Sequence, residues 1–210
     1  MTSIAVALLV AAVQAGSASE AVERIQEKVR ASLTAWIKSE GPARTRAREQ
    51  ARKAVDELID FDALARSTLG NKWDELKPAD RKRYTAALRG AMEANYLARM
   101  RKGKASDVER IRTELTGEEP QDGRVVVHTR VHTGEDTAAI DYAMVKGPKG
   151  WRAVDVITEG VSLADTYREQ VARILAKKTL NDVIAALDRK RKALEAELDK
   201  PRSSAEEPQD

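Results

Sequence analysis

Apolar side chains recur every three or four residues through the first hundred residues, the spacing that places them on one face of a helix. A first helix is predicted from near Glu20, and a second follows Gly41-Pro42. A third, short helix ends at Gly70, because glycine tolerates the left-handed backbone of helix ends. A fourth begins at Pro78. The apolar positions of the four helices are Val22, Ile25, Val29, Leu33 and Trp36; Ala47, Ala51, Ala54, Val55 and Leu58; Phe61, Leu64, Ala65 and Leu69; and Tyr84, Leu88, Met92, Tyr96 and Met100.

The period of the pattern changes to two in the middle of the chain, which predicts antiparallel strands. Residues 124–132 alternate apolar and polar side chains as a half-buried strand does. Residues 140–145 and 151–157 are rich in Val, Ile, Tyr and Trp, and the turn Gly147-Pro148-Lys149-Gly150 joins them as a hairpin. A looser alternation over residues 108–115 indicates a further strand. The sheet is therefore expected to have about four strands.

Two segments after the strands resemble helix capping boxes, namely Ser162-Leu163-Ala164-Asp165 and Thr179-Leu180-Asn181-Asp182. Each precedes an amphipathic helix. The whole pattern predicts an α+β fold in which a curved antiparallel sheet packs against several helices, as in NTF2-like and cystatin-like proteins. No linker divides the chain, so residues 19–199 are expected to form a single domain.

Both ends of the chain depart from this pattern. The apolar run over residues 4–13 is followed by Gly16-Ser17-Ala18, and its length is that of a secretory signal peptide. Residues 1–18 are interpreted as such a leader, although no Lys or Arg precedes the run, and the run is too short to span a bilayer. Residues 200–210 are polar and are expected to be a disordered tail.

Composition excludes few functions. Charged residues make up 34% of the chain but the formal net charge is only +3, which is weak evidence for a nucleic-acid partner. Cysteine is absent, which suits a periplasmic protein without disulfides and a cytoplasmic protein equally.

Catalytic chemistry finds little support in the sequence. His128 and His132 are the only histidines, and four residues apart on a strand they lie roughly 13 Å from each other, too far to share a metal ion. Ser162 lacks the glycine pattern of a nucleophile elbow and is interpreted as a helix cap. Asp155 stands in an apolar strand, where a hydrogen-bonded structural carboxylate and a functional one are both open. No metal or phosphate-binding motif is present.

Three segments resemble the MlaC (toluene-tolerance, Ttg2-type) family, the periplasmic phospholipid carriers of Gram-negative bacteria. They are residues 61–73, residues 76–84 leading to Tyr96, and, most specifically, residues 151–163 followed by Tyr167-Arg168. The order and spacing are kept from about Ile25 to Leu187. Departures are Lys77 and Asp80 in place of Thr and Gln, Val171 in place of an aromatic residue, and the extension beyond Leu187.

The resemblance implies a periplasmic, monomeric, non-catalytic carrier without a cofactor. Its apolar cavity would take a phospholipid as cargo and shuttle it between an outer-membrane lipoprotein complex and an inner-membrane ABC transporter, maintaining outer-membrane lipid asymmetry. The cavity is expected between one sheet face and the helices beside it. Its predicted lining consists of Leu69, Trp73, Leu88, Met92, Tyr96, Val125, Val127, Ile140, Tyr142, Met144, Val154 and Val156.

Other functions stay open at this point. An NTF2-like sheet can bind a peptide or partner protein through the same face, since a fold does not fix a function. Basic runs such as Arg81-Lys82-Arg83 and Arg189-Lys190-Arg191-Lys192 could contact anionic head groups or an acidic partner, although such runs are usually solvated helix faces. Nucleic-acid binding is the weakest alternative, because aromatic residues do not alternate with the basic ones.

Overall fold

A computed structural model of the chain describes residues 16–102, 110–134 and 136–199. These residues form seven helices and five strands. The helices are α1 (Ala18–Lys38), α2 (Gly41–Leu58), α3 (Phe61–Leu69), α4 (Lys72–Glu75), α5 (Pro78–Lys102), α6 (Leu163–Leu175) and α7 (Leu180–Asp199). The strands are β1 (Arg112–Gln121), β2 (Arg124–Thr133), β3 (Asp136–Gly147), β4 (Gly150–Thr158) and β5 (Val161–Ser162).

The sheet is a simple antiparallel meander in the order β1-β2-β3-β4-β5. Its register places Val127 opposite Tyr142 and Tyr142 opposite Val156, so these three residues share one face. A β-bulge at Ala143 and Met144 shifts the register between β3 and β4. The predicted fold class is therefore confirmed, and the strand beyond the expected four is the two-residue β5.

The prediction for the first strand was wrong in its position. Strand β1 begins at Arg112 and continues to Gln121, whereas the alternation was placed over residues 108–115. Every residue of β1 except Gly117 is exposed, because β1 is an edge strand with no buried face. Without a buried face a strand carries no period-2 signal. Val108, part of that alternation, lies outside the described residues.

The helix ends follow from local hydrogen bonds. Ser17 and Glu20 form a capping box at the start of α1, and Asp60 caps α3 through the backbone N–H of Ala63 at 3.0 Å. The predicted cap at Thr179 is confirmed, since its N–H donates to Asp182 Oδ2 at 2.9 Å. Gly70 ends α3 with a φ of 56°, which glycine adopts without steric cost.

Most of the buried apolar side chains form two clusters. The sheet core packs α1 and the end of α2 onto the sheet; its members are Ala18, Ala21, Val22, Ile25, Leu58, Ile59, Phe61, Leu64, Val127, Tyr142, Met144, Ala153 and Ala164. The helical core joins α3, α4, α5, α6 and α7; its members are Ala65, Leu69, Trp73, Tyr84, Ala87, Leu88, Ala91, Tyr167, Val171, Val183, Ile184 and Leu187. Helix α1 also packs along α2, and α5 packs along α7, so the helices form two pairs, of which α1–α2 contacts the sheet.

Candidate functional site

A cavity of about 2180 Å³ lies between the sheet and the two helix pairs. Ordinary sites for small molecules occupy about 300–1,000 Å³, so this cavity is larger than a drug-sized ligand requires. Its apolar walls come from α1, α2, the start of α3, α5 and strands β3 and β4. Apolar residues of this lining include Ile25, Val29, Val55, Phe61, Met92, Tyr96, Ile140, Tyr142, Val154 and Val156.

The sheet supplies its part of the lining through simple strand alternation. Ile140 and Tyr142 are two residues apart on β3 and therefore point to the same side. Val156 stands opposite Tyr142 on β4 and extends the same apolar surface. The hydroxyl of Tyr142 accepts a hydrogen bond from Gln26 Nε2 on α1 at 3.2 Å. Burial raises the pKa of Tyr142, so its ring and neutral hydroxyl form part of an apolar wall.

The structure brings seven of the twelve predicted site residues to the cavity surface. They are Trp73, Met92, Tyr96, Ile140, Tyr142, Val154 and Val156. The other five pack behind the lining rather than in it. Leu69 and Leu88 lie inside the helical core, Val127 and Met144 lie inside the sheet core, and Val125 packs against the sheet core. Their contact with a ligand stays a prediction.

The sequence interpretation missed the contribution of the first two helices. Ile25 and Val29 of α1 and Val55 of α2 line the cavity, although the prediction used only later helices. Their helical periodicity was visible, but a stripe that covers a cavity has the same spacing as a stripe that fills a core.

A charged cluster borders the apolar lining where α2, α5 and β4 meet. Arg89 forms an ion pair with Asp56 Oδ2 and donates from Nε to Glu93 Oε1 at 2.8 Å. Arg152 donates from Nη2 to the backbone carbonyl of Asp56 at 2.7 Å and to that of Ile59. Burial raises the pKa of Glu93, and the pairing with Arg89 only partly offsets that. All four charged residues of this cluster line the cavity.

Residues 23–189, most of the chain, match the family described as MlaC protein. The chain belongs to the MlaC family. The resemblance predicted from the three sequence segments is thereby confirmed, and the matched region spans the sheet and α2 to α6 together with most of α1 and half of α7.

A solved structure with the same fold is a phospholipid-binding protein from Ralstonia solanacearum, determined in complex with a phospholipid at 1.53 Å. The two chains are 21% identical, and the TM-score is 0.71. The alignment covers 86% of this chain and 99% of the Ralstonia chain. At this level of identity the likeness establishes the fold. A search of curated proteins gave no significant match.

In this MlaC family member each of the two histidines lies beside a different carboxylate. His128 Nδ1 lies 3.1 Å from Asp141 Oδ1, and His132 Nε2 lies 3.4 Å from Glu114 Oε2. Both side chains are partly exposed, at 34% and 39%. Among the described residues, no group of three or more His, Asp or Glu side chains could hold a metal ion.

Asp155, the buried carboxylate of β4, holds the start of α6 in place. Its Oδ1 accepts hydrogen bonds from the backbone N–H groups of Val156 at 2.8 Å and Ala164 at 2.9 Å. Its Oδ2 accepts from Ser162 Oγ at 2.5 Å, and Ser162 Oγ in turn accepts from the N–H of Asp165 at 3.0 Å. The prediction that Ser162 caps a helix is confirmed, and Asp155 is a structural carboxylate satisfied by these bonds.

Helices long and apolar enough to cross a bilayer are not found in the described part of the chain. The apolar run over residues 4–13 lies outside it.

Proposed function

We propose that the protein binds a phospholipid, with the acyl chains inside the cavity and the head group at its charged border. The observation that carries this proposal is a 2180 Å³ cavity with an apolar lining in a chain of the MlaC family. The Ralstonia protein of the same fold was solved with a phospholipid bound, which supports the same class of ligand here.

The seven predicted residues at the cavity surface are the proposed acyl-chain contacts, joined by Ile25, Val29 and Val55 from the first two helices. Met92 suits variable chains because its unbranched thioether side chain adapts to irregular shapes. Half-buried side chains at the cavity wall become fully covered when a chain enters, and that burial supplies the driving force for binding.

We further infer that the protein is a non-catalytic carrier that moves phospholipid across the periplasm between an outer-membrane lipoprotein complex and an inner-membrane ABC transporter. Each acyl methylene contributes about 0.8 kcal/mol on leaving water, so a phospholipid with two long chains crosses an aqueous space at a useful rate only inside such a pocket. No covalent step is needed for this role.

Export would require removal of the leader, and contacts near the start of α1 bear on where that occurs. Ser17 caps α1, and the carbonyl of Gly16 accepts a hydrogen bond from Trp151 Nε1 at 2.8 Å. Cleavage after Ala18 would remove both contacts. We therefore propose cleavage after Ala15, which with Val13 gives the small-residue pattern of a signal peptidase site. The intact mass of protein isolated from the periplasm distinguishes the two boundaries.

Native mass spectrometry of the purified protein, with solvent extraction and identification of bound lipid, tests the binding proposal. A stoichiometric phospholipid is the expected result. Delipidated protein should also unfold at a lower temperature than the loaded form, because a ligand that binds only the folded state stabilises it. A mass without lipid that stays unchanged after incubation with phospholipid vesicles would contradict the proposal and favour an NTF2-like protein-binding module.

A further inference from the structure

Helix α7 continues beyond the region that the family match covers and lies along the cavity. The match ends at residue 189, whereas α7 runs to Asp199. One stripe of α7, with members at three- and four-residue steps, lines the cavity; it consists of Ile184, Asp188, Arg191 and Glu195. The last two belong to the second half of the helix, residues 190–199. This half of α7 is therefore part of the cavity wall.

Charged side chains connect this half of α7 to the helices on both sides of the gap. Arg191 lies against α5, since a Cβ on Gly90 would be 2.6 Å from Arg191 Cδ. Arg191 Nη1 donates to Glu195 Oε2 at 3.0 Å. Glu195 Oε1 in turn lies 3.5 Å from Arg48 Nη2 on α2. The contacts thus cross from one helix pair to the other.

Apolar packing holds the last turn of α7. Leu198 is 4% exposed and is buried with side chains from α1, α2 and α5, namely Leu33, Trp36, Ala47 and Leu97. The ion pair adds little to this, because the side chains of Arg48 and Glu195 are each 32% exposed. An attachment that consists of one leucine and one partly exposed ion pair can open while the rest of the protein stays folded.

Detachment would widen the cavity at a defined place. Helix α2 is linked to the opposite helices by Arg48 to Glu195 and by Asp56 to Arg89, and the two links are about two helical turns apart. The stretch of α2 between them lines the cavity through residues that include Ala51, Arg52 and Val55. Movement of the end of α7 would open this stretch from one side while the pair of Asp56 and Arg89 stays in place.

We propose that residues 190–199 are a clasp that closes the cavity between α2 and α5 and detaches each time a lipid enters or leaves. This inference rests on the proposed lipid binding. The alternative is a fixed wall, in which the attachment of α7 has no effect on access to the cavity. The clasp makes that access depend on Leu198 and on the ion pair of Glu195 with Arg48.

Thiol labelling tests the clasp without any lipid, because the chain contains no cysteine. Ala51→Cys places a single thiol on the cavity wall one turn from Arg48, at a position that is 4% exposed. Delipidated protein is treated with N-ethylmaleimide, and the labelling rate is followed by mass spectrometry. The closed clasp shields this thiol, so the rate measures how often the clasp opens.

Variants of the attachment should raise the labelling rate at position 51. Leu198→Ala is expected to raise it about tenfold or more, since loss of a buried leucine weakens the attached state. Glu195→Gln should raise it roughly threefold, as expected for a partly exposed ion pair, whereas exposed Lys192→Gln on the same half of α7 should have no effect. Leu88→Ala is the decisive control, because it destabilises the helical core but leaves the clasp intact.

Labelling that Leu88→Ala and Leu198→Ala accelerate equally would show exposure through global unfolding and overturn the clasp. No acceleration in Leu198→Ala would show a fixed wall and overturn it as well.

A reversible crosslink tests the link to lipid exchange. Arg48→Cys and Glu195→Cys are combined and joined by a reducible crosslinker, and release of a fluorescent phospholipid into acceptor vesicles is followed. Release should slow by about tenfold or more and recover on reduction, because exchange depends on opening of the clasp. The matched control joins Lys28→Cys to Glu57→Cys within the α1–α2 pair, where the native ion pair is 2.5 Å long.

The outcomes separate the clasp from lipid binding itself. Unchanged release from the crosslinked protein would overturn the clasp and leave lipid binding intact. Protein that takes up no lipid in any form would overturn the proposed function, and the labelling rates at position 51 would then decide for or against the clasp.

Discussion

The sheet core and the helical core are built from similar side chains but meet the cavity differently. In the helical core, Tyr84, Leu88 and Val183 are fully buried and none of them lines the cavity. In the sheet core, Ile25 and Tyr142 are also buried, yet both form part of the cavity wall. The helical core reaches the cavity only at its edge, through Trp73, Ala87, Tyr167 and Ile184, and its centre is closed to it.

The reason lies in which elements face each other. Helices α3, α5, α6 and α7 supply apolar side chains to one another, so the centre of the space between them is filled. Helix pair α1–α2 lies over the sheet, and described ion pairs cross from α2 to the opposite helices: Asp56 to Arg89 on α5, and Arg48 to Glu195 on α7 at 3.5 Å. These ion pairs connect the two helix pairs at the margin of the cavity, where charged side chains take the place of apolar ones.

The largest expected difference in stability is between alanine variants of Leu88 and Met92, which lie one turn apart on α5. Leu88→Ala should lower the free energy of unfolding by about 2–5 kcal/mol, because it leaves a void in a filled core. Met92→Ala should cost roughly 1 kcal/mol, since Met92 is half-buried and faces the cavity. Urea unfolding of delipidated protein measures both. Equal losses would show that the two positions are packed alike.

Filling the cavity should weaken lipid binding with little effect on the fold. Val156→Trp places an indole where an acyl chain is proposed to lie, and overpacking costs about 1–3 kcal/mol, or roughly a five- to 150-fold loss of affinity. Val161→Trp is the control, because Val161 is 61% exposed and lies outside the lining. Lipid content after vesicle incubation measures the effect, and unchanged loading of the Val156 variant would argue against the cavity as the site.

Within the helical core, the Tyr84 hydroxyl should contribute about 1 kcal/mol to the free energy of unfolding. It lies 2.7 Å from Thr68 Oγ1 in a buried pair. Burial raises the pKa of Tyr84 to about 12, against the opposing effect of the Thr68 hydrogen bond. Unfolded tyrosine loses its proton near pH 10, so wild-type stability should fall as pH rises from 10 to 12.

Tyr84→Phe lacks this titration and should show a flatter alkaline slope, with Tyr142→Phe as a comparison at the cavity wall. Unfolding free energies at pH 8, 10 and 11 supply the test. Parallel slopes for wild type and Tyr84→Phe would contradict the burial argument.

The smallest effect on stability is expected for a substitution of Glu93, on the cavity border. Burial raises the pKa of Glu93, so its contribution to stability is present below the ordinary value of 4.5 and is lost as pH rises through the raised folded value. At pH 7 the ionised side chain therefore slightly destabilises the fold. Glu93→Gln should raise stability at pH 7 by a few tenths of a kcal/mol, roughly the scale of weak ion pairs. A loss above about 1 kcal/mol would show that the Arg89 pairing outweighs desolvation.

Periodicity predicted the long helices, turn residues predicted the hairpin of β3 and β4, and capping-box motifs predicted the caps at Ser162 and Thr179. It could not locate β1, because an edge strand exposed along its length leaves no alternation to detect. Nor could it separate Leu88 from Met92, which belong to one apolar line of α5. Whether such a line faces a filled core or a cavity depends on the element that packs against it. The sequence of one helix does not show which element that is.

The charged cluster could not be predicted from the sequence for a different reason. Asp56 and Arg89 are 33 residues apart, and Arg152 and Asp56 are 96 apart, on three different elements. Nothing local in the sequence links them. Each residue by itself resembles the other charges of a chain in which 34% of the residues are charged.

The central claim is that acyl chains lie between the sheet and the helix pairs, and photocrosslinking tests it most directly. A phospholipid with a diazirine near the end of one acyl chain is loaded, irradiated, and its adducts are mapped by peptide mass spectrometry. Adducts are predicted on the β3 and β4 peptides carrying Ile140, Tyr142 and Val156, and on the α5 peptide around Met92. Adducts confined to Tyr84, Leu88 and Val183 or to the exposed β1 strand would contradict this placement of the acyl chains.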